Sequence, residues 1–149
     1  MAASSWTVFN SAKKNLGIGL LNLTSATWKI MLFRTSVSAR LLTTVSTIGS
    51  LSTNTATAGN ADETETLGTI TWTGVASAND PVKRWDVADP VFTASTQAIS
   101  SVRYAVIFCS TASADRLLCY AALSTSEFVV ASSNTLTIQM AATGVFTLN

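Results

Sequence analysis

A chain of 149 residues and 15.6 kDa is one domain's worth and buries about 70% of its unfolded surface. It has no histidine, nine basic and eight acidic side chains, and a net charge of +1. That excludes a Ser-His-Asp triad, a Cys-His nucleophile, an HExxH zinc site and a C2H2 finger, and the neutral balance argues against a nucleic-acid partner.

In chain order, the first predicted element is a helix over about 5–16. Ser4 or Ser5 can cap it. Trp6, Phe9, Ala12 and Leu16 fall on one stripe at spacings of three and four, and Gly17 and Gly19 end it. The stripe predicts a helix packed on the domain's own sheet. Lys13 and Lys14 precede the apolar stretch Leu16 to Leu23, which contains Gly17, Gly19 and Asn22 and makes a poor signal segment.

The remainder reads as β. Trp28, Ile30 and Leu32 alternate with Lys29, Met31 and Phe33, so both faces are apolar and the strand is expected inside a sheet. Leu41 to Thr66 is rich in Ser and Thr and is expected either as a functional or mobile loop or as weakly marked strands at Leu41 to Val45 and Thr55 to Ala58. Ile70 and Trp72 alternate with threonines, as in a half-exposed strand. Tyr104 to Cys109 and Leu117 to Leu123 form a predicted hairpin. With its turn centred on Ala114, Cys109 and Cys119 face each other directly. A bridge there is usually strained, so both thiols are expected reduced. Phe128 to Ala131, Leu136 to Met140 and Val145 to Leu148 complete the strands. From Phe128 onward no charge appears, but Ser132, Ser133, Asn134 and Gln139 interrupt the run, and it alternates with period two rather than reading as a membrane helix. Many short strands joined by polar turns predict a mainly β fold, a single β-sandwich domain over 1–149 with one N-terminal α-helix.

Few residues form a chemical constellation. Asp62, Glu63 and Glu65 alternate with Thr and lack the spaced ligand ladder of a calcium loop, which leaves a solvated acidic turn. Asp80, Asp86 and Asp89 stand near Pro81 and Pro90, which mark turns first. Gly17-Ile18-Gly19 follows a helix and lacks the third glycine of a phosphate loop. The run Lys83-Arg84-Trp85-Asp86 is the candidate interface, because Arg beside Trp is the combination that dominates protein contacts. Trp28 and Trp72 are expected in the core. Trp85 is the surface candidate, and a carbohydrate-binding module would work through it. No catalytic residue, metal site or cofactor is expected, and the chain reads as a non-enzyme.

The order of segments carries a resemblance. Ser5-Trp6-Thr7-Val8-Phe9-Asn10 leads through Lys13-Lys14 and Leu21-Asn22-Leu23 into Trp28-Lys29-Ile30-Met31-Leu32-Phe33. Asp89-Pro90-Val91-Phe92-Thr93-Ala94-Ser95-Thr96, Arg103-Tyr104-Ala105-Val106-Ile107 and Leu117-Leu118-Cys119-Tyr120 follow. Asn134-Thr135-Leu136-Thr137-Ile138 and Gly144-Val145-Phe146-Thr147-Leu148 close the chain. Across nearly its whole length it resembles a group of small structural proteins of tailed bacteriophages that open with a W-x-V-F/Y-N motif and end in G-I/V-F-x-L. It departs at Ser52 to Asn60, where such proteins carry an aromatic, Gly-rich stretch. The resemblance implies a virion component, and within that class a capsid decoration or cement protein. It would be made in the host cytoplasm and bound to the major capsid protein at the capsid surface. A tail, adaptor or fibre-base role, or a carbohydrate-binding surface module, are the alternatives. Charged residues make up only 11% of the chain and 42 positions are Ser or Thr. A surface so weakly charged favours self-association. A homo-oligomer is therefore expected, a trimer by analogy with decoration proteins, with neither a nucleic acid nor a membrane as partner. Lys83, Arg84, Trp85 and Asp86, together with the 41–66 segment, are its expected contacts.

Overall fold

The computed structural model describes residues 5–38, 45–58, 62–74, 82–110, 115–142 and 144–148. Strand accounts for 41% and helix for 15%, so the chain is mainly β, with several antiparallel sheets.

The N-terminus departs from expectation. Thr7–Val8 is a strand, β1, and the helix α1 is Asn10–Gly17. The expected helix over 5–16 therefore begins five residues late. The reason is pairing. Thr7 and Val8 lie antiparallel to Tyr120 and Cys119, and the Phe9 amide donates to the Leu118 carbonyl at 3.0 Å. That ladder holds 7–9 extended, so Phe9, with no side-chain cap, stands where the helix begins. The inward stripe survives downstream. Phe9 and Ala12 are buried, and Leu16 packs on the core. The helix stops as its glycines suggest. Leu20 N donates to Asn15 O at 2.8 Å and Gly19 N to Leu16 O at 3.2 Å. Gly19 takes φ +73°, the left-handed residue such a cap requires.

The central sheet has five strands. β2 is Trp28–Phe33, β3 Thr64–Thr66, β8 Tyr104–Cys109 and β9 Arg116–Ala122, in the order β1-β9-β8-β2-β3. β2 is an interior strand, as its two apolar faces require. The hairpin β8–β9 sets Cys119 opposite Ile107 and Cys109 opposite Arg116, with a register slip between Ile107 and Phe108. The two cysteines are therefore not a directly facing pair. The register of the whole hairpin sets them two residues apart, and the bulge adds one residue more. Ala114, the expected turn centre, lies outside the described residues.

Three smaller sheets complete the fold. β4 (Thr71–Gly74), β5 (Lys83–Asp86) and β12 (Phe146–Leu148) form one in the order β12-β5-β4. β6 (Val91–Thr93) pairs with β11 (Thr135–Thr137), and β7 (Ile99–Val102) with β10 (Phe128–Val130). Buried apolar side chains from all four sheets and α1 form one continuous cluster.

The 41–66 segment is not weakly packed where it is described. Leu51 is fully buried, and Ile48 and Ala56 join the core. Short 3-10 turns occupy Ile48–Ser50 and Ser52–Asn54. Thr55 to Ala58 makes bridges rather than a strand. Ala56 N donates to Leu32 O at 2.9 Å, and Thr57 and Ser100 exchange backbone hydrogen bonds. The strand considered at Leu41 to Val45 lies outside the described residues except for Val45, whose carbonyl accepts from Ser11 Oγ at 2.7 Å.

Candidate interaction surface

Strand β5 is the middle strand of its sheet. Register places Trp72, Trp85 and Phe146 in one cross-strand row, with Thr73, Arg84 and Thr147 in the next. Successive side chains take opposite faces, so the first row enters the core and the second faces outward. Trp85 is fully buried. Its ring meets Trp28 edge-on at 5.5 Å and stacks on Phe146 at 5.5 Å, and its Nε1 donates to the Leu23 carbonyl at 3.0 Å. Trp85 is thus a core residue and not the exposed contact or sugar platform expected of it. Alternation buries it while leaving its neighbours out.

Those neighbours remain at the surface, half-buried. Arg84 lies along the chain at Gly144 and donates from Nη1 to the Ala142 carbonyl at 2.8 Å. Gly144 has φ +84°, and a Cβ there would collide with the Arg84 side chain and stand 2.8 Å from the Trp85 carbonyl. Asp86 Oδ1 accepts from the Val87 amide at 2.9 Å. With Thr71, Thr73 and Thr147, all exposed, Arg84 and Asp86 make a polar, hydroxyl-rich sheet face. Lys83 begins the strand and, two residues before Trp85, falls on the opposite face.

A second surface lies where α1 ends. Leu16, Gly19, Leu21, Asn22, Leu23, Thr24 and Trp72 line an open groove of about 380 Å³. Ile18 and Leu20 stand beside it, 59% and 48% exposed. Asn22 builds this turn. Its Oδ1 accepts from the amides of Thr24 and Ser25 at 3.0 and 3.1 Å and from the Thr24 hydroxyl at 2.9 Å. Exposed Lys13 and Lys14 precede the groove on α1. Sequence reasoning passed over Ile18 and Leu20. The available signal was their position beyond the helical stripe, between glycines.

The remaining polar groups serve the fold. Glu127 accepts from the Thr35 amide at 2.7 Å, and that bond, with help from the Thr35 hydroxyl, holds its carboxyl below the usual range. Arg103 Nη1 donates to Thr35 Oγ1 at 3.2 Å, and Arg34 ties down Thr55 and Thr57 at 3.0 Å each. Asp62 Oδ2 accepts from both the amide and hydroxyl of Ser95 at 2.8 Å. Asp89 accepts from the Met140 amide at 2.8 Å, while Asp80 and Pro81 lie outside the described residues. Neither cysteine is in a disulfide and both are buried, and burial pushes the Cys119 thiol well up, so it stays protonated. Among the described residues no group of His, Cys, Asp or Glu is placed to hold a metal ion, and no helix is long and apolar enough to cross a membrane. Comparison with family models, curated proteins and solved structures found no match to this chain.

Proposed function

We propose that this chain is a structural protein of a tailed-phage virion, a capsid decoration protein that binds the outside of the head lattice as a homo-oligomer and performs no catalysis. The ordered series of motifs along the chain carries the reading. Structural joints support it, because the motif residues sit at them. Trp6 precedes the edge strand, Val8 and Phe9 belong to it and to the turn into α1, and Gly144 to Leu148 forms the constrained glycine and the last strand. The surface suits the role. Only 17 side chains carry charge on an accessible area of 7274 Å², and such a surface favours association over solitary solution. A threonine-rich sheet face and an apolar groove offer two separate contacts, and repeated weak contacts on a lattice add up through high effective concentration. For the architecture we infer a β-sandwich, with the five- and three-stranded sheets as its two layers. The Trp28–Trp85 ring contact between those sheets supports it.

Quantitative mass spectrometry of purified virions tests the role. Hundreds of copies per particle, and rebinding of purified protein to expanded heads that lack it, are expected. A dozen copies or fewer, or no rebinding, would move the protein to the tail apparatus or off the virion.

A further inference from the structure

The charges of this chain are divided along its length. Residues 1–61 hold five of the nine basic side chains and none of the eight acidic ones. The fold sets one pair of these cations, Lys13 and Lys14, apart from the acids, while Lys29 on β2 and Arg34 just after it lie beside β3. The basic side chains Lys13 and Lys14 ride on α1, which follows edge strand β1 and packs on β9, with the Phe9 and Tyr120 rings 5.1 Å apart. The acidic cluster Asp62, Glu63 and Glu65 sits at the other edge, on β3 and the turn before it. Four inter-strand spacings, about 19 Å, separate the edges. Along β2, the acids run from Glu65 opposite Ile30 to Glu63 beside Leu32. Leu32 N bonds to Glu63 O, whereas the turn after α1 leads into Trp28.

Each edge also carries apolar surface. Beside the lysines are Ile18, Leu20 and the groove floored by Leu21, Leu23 and Trp72. Beside the acids, β3 packs next to β6, whose Val91 is 46% exposed. The acidic edge is crowded with like charge. Glu65 shares the face of Ile30, its partner across the ladder, and burial, with Asp62 nearby, raises its carboxyl above the ordinary range.

We propose that a second copy of this chain occupies the groove, docking its acidic β3–β6 edge against Lys13, Lys14, Ile18 and Leu20 of the first. The contact is heterologous, since each copy offers one basic-apolar and one acidic edge, and it repeats head to tail until a ring closes. Opposite charge fixes which edge meets which, and the apolar side chains supply the buried area. This deepens the oligomeric part of the capsid reading and rests on it only for its biological setting.

The test uses the purified full-length protein without capsids. Sedimentation velocity and light scattering are expected to show an oligomer that weakens as salt screens the contact. Two variants break one edge each: Lys13→Glu with Lys14→Glu on the exposed helix face, and Asp62→Asn with Glu65→Gln at the acidic edge. Asparagine keeps an acceptor for Ser95, and circular dichroism checks that both variants fold. Each alone should raise the dissociation constant at least about tenfold. Mixed in equal amounts, they should form a dimer holding one copy of each and go no further, because only one intact pair of edges remains. A wild type that stays monomeric at high concentration, or a mixture with no such dimer, overturns the proposal. If the acidic-edge variant still assembles alone, the groove pairs with itself and the head-to-tail contact is wrong. A monomer that is abundant on virions would sink this inference and leave the capsid reading standing. An oligomer absent from virions would do the reverse.

Discussion

Strand β5 and the turn that follows α1 both place large apolar side chains within a few residues of a cation, and they end in opposite environments. In β5 the aromatic is sealed inside. Trp85 is fully buried, with its Nε1 satisfied by the Leu23 carbonyl, while Arg84 and Asp86 turn outward. In the turn, Ile18 and Leu20 stay in solvent next to Lys13 and Lys14 on the helix. The difference lies in backbone period. A strand sends consecutive residues to opposite faces, so a Trp next to an Arg cannot share its surface. A capped turn has no such period, and Asn22 and Gly19 fix its path without burying what it carries. The two regions are joined, since the Trp85 indole holds the turn at Leu23. The closed region is therefore a support for the open one.

Removing the support should have the largest effect. Trp85→Ala empties a site packed by Trp28 and Phe146 and should cost about 3–5 kcal/mol of stability, as large aromatic truncations do. Urea denaturation at neutral pH measures it. A loss under about 1 kcal/mol would mean that the ring is not a packed part of the core. Trp85→Phe keeps most of the volume but deprives Leu23 of its donor, and should loosen the groove before it unfolds the protein.

The closing strand comes next. Gly144→Ala forces a Cβ onto a left-handed backbone and against Arg84 and the Trp85 carbonyl, and should cost about 2 kcal/mol. Pairing it with Arg84→Ala should recover part of that loss, because the arginine side chain can be removed while the carbonyl at 2.8 Å stays. A double-mutant cycle with no coupling would show that the strain is purely backbone.

Much of the central sheet was legible in the sequence. The doubly apolar run Trp28 to Phe33 is an interior strand, and Leu136 and Ile138 are buried in alternation with polar neighbours as their spacing implies. What escaped had competing local signals. The Trp6–Phe9 stripe suits a helix, yet two residues of ladder with β9 outweigh it, because pairing with a distant strand leaves no mark in a local window. The register of β8 against β9, which sets Cys119 opposite Ile107 rather than Cys109, is equally silent. The candidate interface was half legible. Composition marked 83–86 as distinctive, but the face of each residue depends on partners far along the chain, at Thr71–Gly74 and Phe146–Leu148. The groove was hidden because Leu16 and Trp72 read as interior and the stretch Leu16 to Leu23 reads only as a poor signal segment.

On the open side, Ile18→Ser with Leu20→Ser should leave stability within about 0.5 kcal/mol, since neither side chain is buried in the single chain. The same double variant should weaken self-association measured by sedimentation. Those two readouts moving together, with both stability and assembly falling, would show that the turn is part of the core and erase the contrast with β5.

The smallest expected effect is also the most discriminating, because its sign differs between the fold and the assembly. Burial, and then the charge of Asp62, raise the Glu65 carboxyl above its ordinary value of 4.5. A group raised in the folded state stabilises the fold fully below its unfolded pKa and loses that contribution as pH rises through the folded one. At neutral pH the charged Glu65 is therefore a mild liability to the single chain. Glu65→Gln removes that charge, so thermal melting at pH 7 should rise slightly, and the gain should vanish below about pH 4, where the wild-type carboxyl is protonated too. In the proposed assembly the same carboxylate would face the lysines of a neighbouring copy, so the variant should associate more weakly at pH 7 while its single chain melts higher. A variant that melts lower at pH 7 would mean that Glu65 supports its own subunit. The residue would then have no reason to be held in a crowded acidic edge for a neighbour's sake.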